Sequence, residues 1–236
     1  MKSPLSCGPL LELQETTSTQ ALAAALLSSG DLEVPGIIFA HNQLSGKGRF
    51  QRSWHSTAGE SLTVSLIFEC YANHPKPWLV SMATSLAVAS AVHSQIQWPN
   101  DLVVNGKKIG GVLTELFPDK SGRLIPVVGI GLNLFQTSFP EDIKSRATSL
   151  TIEGRKPLSP IATLNSILDK LVTVPEPDSW QALQPVWQIF DATPGKKYRT
   201  VNGAEAIALG VGPEGELLCS INGESEKVLA ADAIFG

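Results

Sequence analysis

The sequence predicts an α+β chain in which a mixed β-sheet flanked by helices is followed by a small all-β unit. Three observations carry this reading. Short branched apolar runs alternate with longer helical stretches up to Phe190. Beyond it, short strands recur between Asn202-Gly203, Pro213-Glu214-Gly215 and Asn222-Gly223, the spacing of a small barrel. The 236 residues are 43% hydrophobic, enough for a sizeable core, and no apolar run approaches the ~20 residues that span a bilayer. A boundary near Asp191 divides residues 1–190 from 191–236.

The elements follow in order. Leu22 to Leu27 is the first periodic segment. Thr17 with Gln20 matches a capping box, so a helix starts there and runs to about Gly30. Gly36 to Ala40 is a buried strand. Asn42 to Trp54 is polar, basic and without periodicity, so it reads as a loop. Ser61 to Phe68 alternates small or polar residues with apolar ones, the period of a strand. Trp78 to Val92, rich in Ala, Leu and Val, is a buried helix. Ile96 to Trp98 is a strand stopped by Pro99. Leu102 to Val104 and Lys107 to Leu116 form a hairpin, because Asn105-Gly106 suits a two-residue type I′ turn. Leu124 to Leu134 is a central strand, and Thr137 to Pro157 has no determined structure. Helices follow at about Ser159 to Val172 and Asp178 to Phe190, then four short strands from Gly195 to Ile234.

Composition narrows the function. A formal net charge of −4 argues against a nucleic-acid protein, and so do the few basic residues of the small barrel. Cys7, Cys70 and Cys219 are odd in number and in no metal-ligand spacing, which suits free thiols in a reducing compartment. The N-terminus lacks the apolar core of a signal peptide. A cytoplasmic protein without membrane or DNA partners is expected.

Four segments carry chemistry. Gly46-Lys47-Gly48-Arg49-Phe50-Gln51-Arg52 sets three cations among glycines, bringing charge and backbone N–H groups near an anion. Taken alone, it also suits a solvated surface loop. Trp98-Pro99-Asn100-Asp101 puts an amide and a carboxylate at a sheet rim, though Pro-Asn-Asp is equally good turn chemistry. Lys108 lies across the hairpin from Asp101, a placement that allows both to face one site, though a lysine here taken alone better suits an exposed hairpin position; Gly110-Gly111 admits close approach to the backbone. Gly129 and Gly131 clear one face of a strand for a flat ligand, with Asn133 at its end; tight strand packing would need the same glycines.

In this order and combination, from Ser18-Thr19 and Gln43 to Asn133, these segments resemble the biotin protein ligases, over nearly the whole chain. The resemblance implies a class II synthetase-like catalytic domain with a small C-terminal SH3-like barrel. It implies activation of biotin with ATP and Mg²⁺ to biotinyl-5′-AMP, then transfer to a lysine of the biotin carboxyl carrier protein. Ser18, Thr19 and Gln43 would hold the ureido ring and valeryl chain, above a floor of Gly129 and Gly131. Lys108 would contact the biotin carboxylate and the transferring phosphate. Gly46, Arg49 and Arg52 would belong to a loop closing over biotin and phosphate, Trp54 would cover the adenine and Asn133 would contact the adenylate. Asn100 and Asp101 would sit near the anhydride, making Lys108, Arg49 and Asp101 the catalytic group. No metal ligand is assigned, and a homodimer is compatible with the resemblance.

The chain departs from the family pattern at Lys47, Gln51, Gln97 and Gln20, in place of an arginine, a glycine, a lysine and an asparagine; the capping box accounts for Gln20. The short stretch before Thr16 suits the monofunctional class, without a DNA-binding winged helix. Two other readings are a lipoate or octanoate transferase and a non-catalytic biotin-binding regulator. The basic loop and Trp-Pro-Asn-Asp favour biotin over the first, and Lys108 with Arg49 speaks against the second.

Overall fold

The computed structural model describes residues 8–29, 36–200 and 203–229, with the backbone of 233–234. Cys7, Gly30 and Asn202 lie outside the described residues, as does the side chain of Gln51.

The chain opens with β1 (Leu10–Thr16), a strand absent from the sequence-based expectation. It is an edge strand parallel to β2 (Ile37–Gln43), and only Leu11, Leu13 and Thr16 are partly covered, so its alternation is weak. Between them runs α1 (Thr19–Ser29). The expected capping box is not formed. Ser18 caps the helix, its Oγ accepting from Ala21 N at 3.4 Å, while Gln20 turns inward. The expected loop after β2 is instead a small hairpin of β3 (Gly46–Lys47) and β4 (Ser53–Trp54), closed by a 3-10 turn at Arg49–Gln51.

The sheet continues with β5 (Ser61–Ile67), then α2 (Trp78–Val92), β6 (Gln95–Gln97), β7 (Asp101–Val104), β8 (Lys107–Pro118) and β9 (Leu124–Asn133). The seven strands lie in the order β1-β2-β5-β9-β8-β7-β6, antiparallel except for β1 with β2. Asn105 and Gly106 both have positive φ, 50° and 77°, as the expected type I′ turn requires. Then come α3 (Pro160–Leu171), capped by Ser159, and α4 (Trp180–Phe190), capped by Ser179.

Strand alternation divides the sheet into two unlike faces. Leu62, Val64 and Leu66 of β5 point with Val128, Ile130 and Leu132 of β9 into the main core, against α2, α3 and α4. The opposite face is apolar at one end only, where Ile38, Ile67, Ile125 and Val127 pack under Ala23 and Leu27 of α1. At the other end the same strands carry Thr63, Ser65, Gly129 and Gly131. Helix α1 covers the apolar half and leaves the small, polar half as the wall of a cavity.

The C-terminal part has five strands rather than four: β10 (Lys197–Thr200), β11 (Glu205–Val211), β12 (Leu217–Ile221), β13 (Glu224–Val228) and β14 (Ala233–Ile234). They form an antiparallel sheet in the order β13-β12-β11-β10-β14, consistent with a small SH3-like unit. Among the described residues no pairing joins its edges, β13 and β14, into a closed barrel. Buried Trp98 fastens this unit to the larger one. Its N–H donates to Thr193 Oγ1 at 2.9 Å and its indole N–H to Gly215 O at 3.0 Å, while Tyr198 OH donates to Trp98 O at 3.1 Å. No described helix is long and apolar enough to cross a membrane.

Candidate functional site

A cavity of about 620 Å³ opens over the polar half of the sheet, within the usual range for a small-molecule site. Every residue to which the resemblance gives a binding or catalytic role lines it except Gly46, whereas Gly110, expected with Gly111 to admit close approach to the backbone, packs instead against Gly131 and Leu132 of β9. Gly46 lies behind the wall: a β-carbon there would sit 2.5 Å from Gln43 Nε2 and 2.9 Å from Trp54 O. Its lack of a side chain lets the hairpin close on Gln43.

The hairpin of β7 and β8 positions the charged pair. The register shifts by one residue opposite Leu102 and Val103, leaving Ile109 as the extra residue. This bulge sends Ile109 into the core and sets Lys108 and Gly111, three apart, on the cavity face; strict alternation would separate them. Lys108 Nζ lies 2.5 Å from Asp101 Oδ1. Asn100 is spent on the strand pair, its amide donating to Val112 O at 2.8 Å. Asn133 likewise donates to Thr148 O at 3.0 Å, buried at the cavity edge.

The lining carries five cations, Lys47, Arg49, Arg52, Lys108 and Arg146, against two carboxylates, Asp101 and Asp142. This acidic chain therefore holds a locally positive cavity, suited to an anionic ligand. Burial lowers the Arg49 pKa and the nearby Asp101 opposes that shift; a guanidinium remains charged at neutral pH in either case. Trp54 lies flat on the floor: a β-carbon on Gly131 would fall 2.5 Å from its Cε2. The Trp54 indole N–H is buried without a hydrogen-bond partner.

Sequence reasoning missed three contributions. Gln20, taken for a capping residue, faces the cavity end over Gly129, where a β-carbon would lie 3.2 Å from its Cγ and Cδ. The undetermined stretch supplies Phe139, Asp142 and Arg146 to the lining, and Lys108 N donates to Arg146 O at 2.8 Å while Thr148 N donates to Lys108 O at 2.8 Å. No periodicity could have revealed that strap. Gln97 bonds Tyr198 of the C-terminal unit, whose phenol burial holds above its usual pKa, with Asp101 adding to the effect.

The family model for the biotin/lipoate A/B protein ligase family matches residues 10–133. The bifunctional ligase/repressor BirA of Bacillus subtilis is 30% identical over 93% of this chain and 72% of its own length. Its counterpart in Bacillus spizizenii is 28% identical over 97% of this chain and 75% of its own. Among solved structures, a biotin protein ligase from Aquifex aeolicus in complex with biotin and ATP shares the fold, with a TM-score of 0.78 and 23% identity over 96% of this chain and 97% of that one.

Proposed function

The chain belongs to the biotin/lipoate A/B protein ligase family, and from that premise we propose that it activates biotin with ATP and passes the biotinyl group to a lysine of the biotin carboxyl carrier protein. The observation that carries this reading is the cluster of Lys108, Arg49 and Asp101 in a cation-lined cavity beside a floor of Gly129 and Gly131. A carboxylate and a triphosphate repel each other, so joining them needs fixed positive charge on both.

In this mechanism biotin lies in the cavity beside the Trp54 indole that rests on Gly131 and the Gln20 side chain that rests on Gly129, its ring toward Ser18, Thr19 and Gln43 and its carboxylate toward Lys108. Lys108 holds the attacking oxygen and the α-phosphate together, and its ammonium offsets charge as pyrophosphate leaves. Arg49 and Arg52 hold the phosphate from the hairpin, Trp54 offers its indole face to the adenine, and Asn133 borders the adenylate. The neutral amine of the carrier lysine then attacks the biotinyl carbonyl carbon of the mixed anhydride beside Asn100 and Asp101, forming the amide as the bond to the phosphate oxygen breaks, AMP leaves and the amine gives up a proton. The catalytic unit is residues 1–190, with residues 191–236 fastened behind Trp98.

Among the described residues no group of three or more His, Cys, Asp or Glu side chains could hold a metal ion. The lining suits Mg²⁺ carried in on the triphosphate, since that ion keeps several waters and takes one or two carboxylates; Asp101 and Asp142 are those available. When bound, it offsets triphosphate charge.

Biotin-dependent pyrophosphate release without any carrier protein tests the assignment, with mass spectrometry for retained biotinyl-AMP. Release driven by lipoate or octanoate, and not by biotin, would overturn the substrate. Biotin binding without pyrophosphate release would make the chain a regulator.

A further inference from the structure

We infer that Thr148 and Glu153 are positioning residues for adenylate formation: the main chain of Thr148 joins Lys108 to Asn133, and the Glu153 carboxylate fixes Thr148 against the β7–β8 turn. This rests on the reading of the cavity as the place where biotin is activated. Neither residue lines the cavity, and both act through residues that do. Strand β9 pairs with β8 only from Gly110 onward, so at Lys108 its place is taken by the strap. There Lys108 N donates to Arg146 O and Thr148 N donates to Lys108 O, both at 2.8 Å. The carbonyl of Thr148 in turn accepts from Asn133 Nδ2 at 3.0 Å. One residue therefore touches both the lysine that holds the reacting carboxylate and the amide that borders the adenylate.

Backbone bonds alone do not set the register of such a strap, because every residue offers the same N–H and C=O. A side chain has to choose it. Thr148 is fully buried, and its hydroxyl donates to Glu153 Oε1 at 2.6 Å. The other carboxylate oxygen, Oε2, accepts from Asn105 Nδ2 at 2.6 Å. Ionised, Glu153 accepts at both oxygens, and such charge-assisted bonds are the strong kind. The bond from Thr148, and after it the bond from Asn105, hold the Glu153 carboxyl below its usual pKa. Asn105 belongs to the turn that leads into Lys108, so Glu153 clamps the strap to the hairpin that carries the lysine. A slip of one residue along β8 would take the Thr148 carbonyl from Asn133 and turn Arg146 out of the cavity lining. A misplacement of about 1 Å in reacting groups costs on the order of 10²-fold in rate.

The test measures kcat/KM for ATP in biotin-dependent pyrophosphate release, together with Tm, for Thr148→Val and Thr148→Ser in the full chain. Valine keeps the volume and removes the hydroxyl; serine keeps the hydroxyl and removes a buried methyl. Thr148→Val is expected to lower kcat/KM about 10- to 100-fold. Thr148→Ser should stay near the wild-type rate, although the lost methyl lowers Tm by about 2–4 °C. A packing role alone predicts rates that follow Tm instead. Equal kcat/KM for the two variants, at a temperature where both are folded, would overturn the inference. Glu153→Gln keeps one acceptor oxygen and faces the second donor with an amide, so it should lower kcat/KM in the same direction. Glu153 is partly exposed, so this variant carries the test if Thr148→Val does not fold, and an unchanged kcat/KM there would overturn the inference. Absence of pyrophosphate release from the wild-type protein would instead overturn the proposed function, and this inference with it.

Discussion

Lys108 Nζ and Asp101 Oδ1 meet at 2.5 Å across the β7–β8 hairpin, seven positions apart in sequence and joined by a two-residue turn. Their side chains are 37% and 29% exposed, so the pair is screened and contributes little to stability. Its value lies in chemistry. Lys108→Met is expected to fold with a near-normal Tm and to lose adenylate formation about 10²-fold, on the order of 3 kcal/mol of transition-state stabilisation. Pyrophosphate release by the folded variant checks this. Near-normal turnover would remove Lys108 from the mechanism.

The adjacent glycines of β8 should behave in opposite ways. A β-carbon at Gly110 would fall 2.3 Å from Gly131 O and 2.6 Å from Leu132 Cδ2, in the pairing of β8 with β9. One at Gly111 meets nothing nearer than Asn100 O at 3.4 Å, with Lys108 Nζ at 3.6 Å. Gly110→Ala is expected to cost about 1–3 kcal/mol and lower Tm by roughly 2–10 °C. Gly111→Ala should leave Tm unchanged and crowd Lys108, lowering the rate of pyrophosphate release. Thermal unfolding of both variants separates the two roles, and equal Tm values would contradict the assignment.

Much of the fold was legible because the cavity is written into strand alternation. Ser61, Thr63 and Ser65 alternate with Leu62, Val64 and Leu66, and Gly129 and Gly131 with Ile130 and Leu132, so small and large residues declare opposite faces. Asn105-Gly106 fixed the β7–β8 turn because its two positive φ angles suit few other pairs. The rest depended on tertiary contacts. Thr17 and Gln20 have capping-box spacing, and only the position of Ser65 and Glu115 decides that Gln20 turns inward. The strap at Arg146 to Thr148 is held by backbone bonds to Lys108, which leave no mark on side-chain pattern. Strand β1, half-covered at a sheet edge, offers too little apolar alternation to distinguish it from a polar lead-in.

Arg49 is expected to act on retention of the adenylate rather than on stability. Its guanidinium is desolvated against the cavity near Asp101 and carries charge and bidentate geometry that glycine lacks. Arg49→Gly should raise the off-rate of pre-formed biotinyl-AMP while leaving the Tm of the free protein nearly unchanged. Stopped-flow displacement measures this. An unchanged off-rate would return Arg49 to the solvated surface.

The hairpin that carries Arg49 should gain order from the ligand. Strands β3 and β4 pair only at Gly46 with Trp54 and Lys47 with Ser53, and the turn between them adds Gly48 N to Arg52 O at 2.8 Å and Arg52 N to Arg49 O at 3.2 Å. Phe50 sits at the tip with φ 56° and is 54% exposed, covered on one side only by the Arg49 guanidinium, 4.8 Å from its ring. Three like charges and an exposed aromatic ring offer little to offset the entropy of fixing this segment. A bound adenylate supplies a phosphate for the cations and a nucleobase for Trp54. Trypsin reads the difference, because Lys47, Arg49 and Arg52 are all cleavage points. Cutting there should be fast in the free enzyme and suppressed by biotin with ATP. Global stability should rise by RT ln(1 + [L]/Kd), about 2.7 kcal/mol at a hundredfold excess over Kd. Equal protection with and without ligand would show that the hairpin does not close on the adenylate, and would leave Arg49 and Arg52 without their proposed part in holding it.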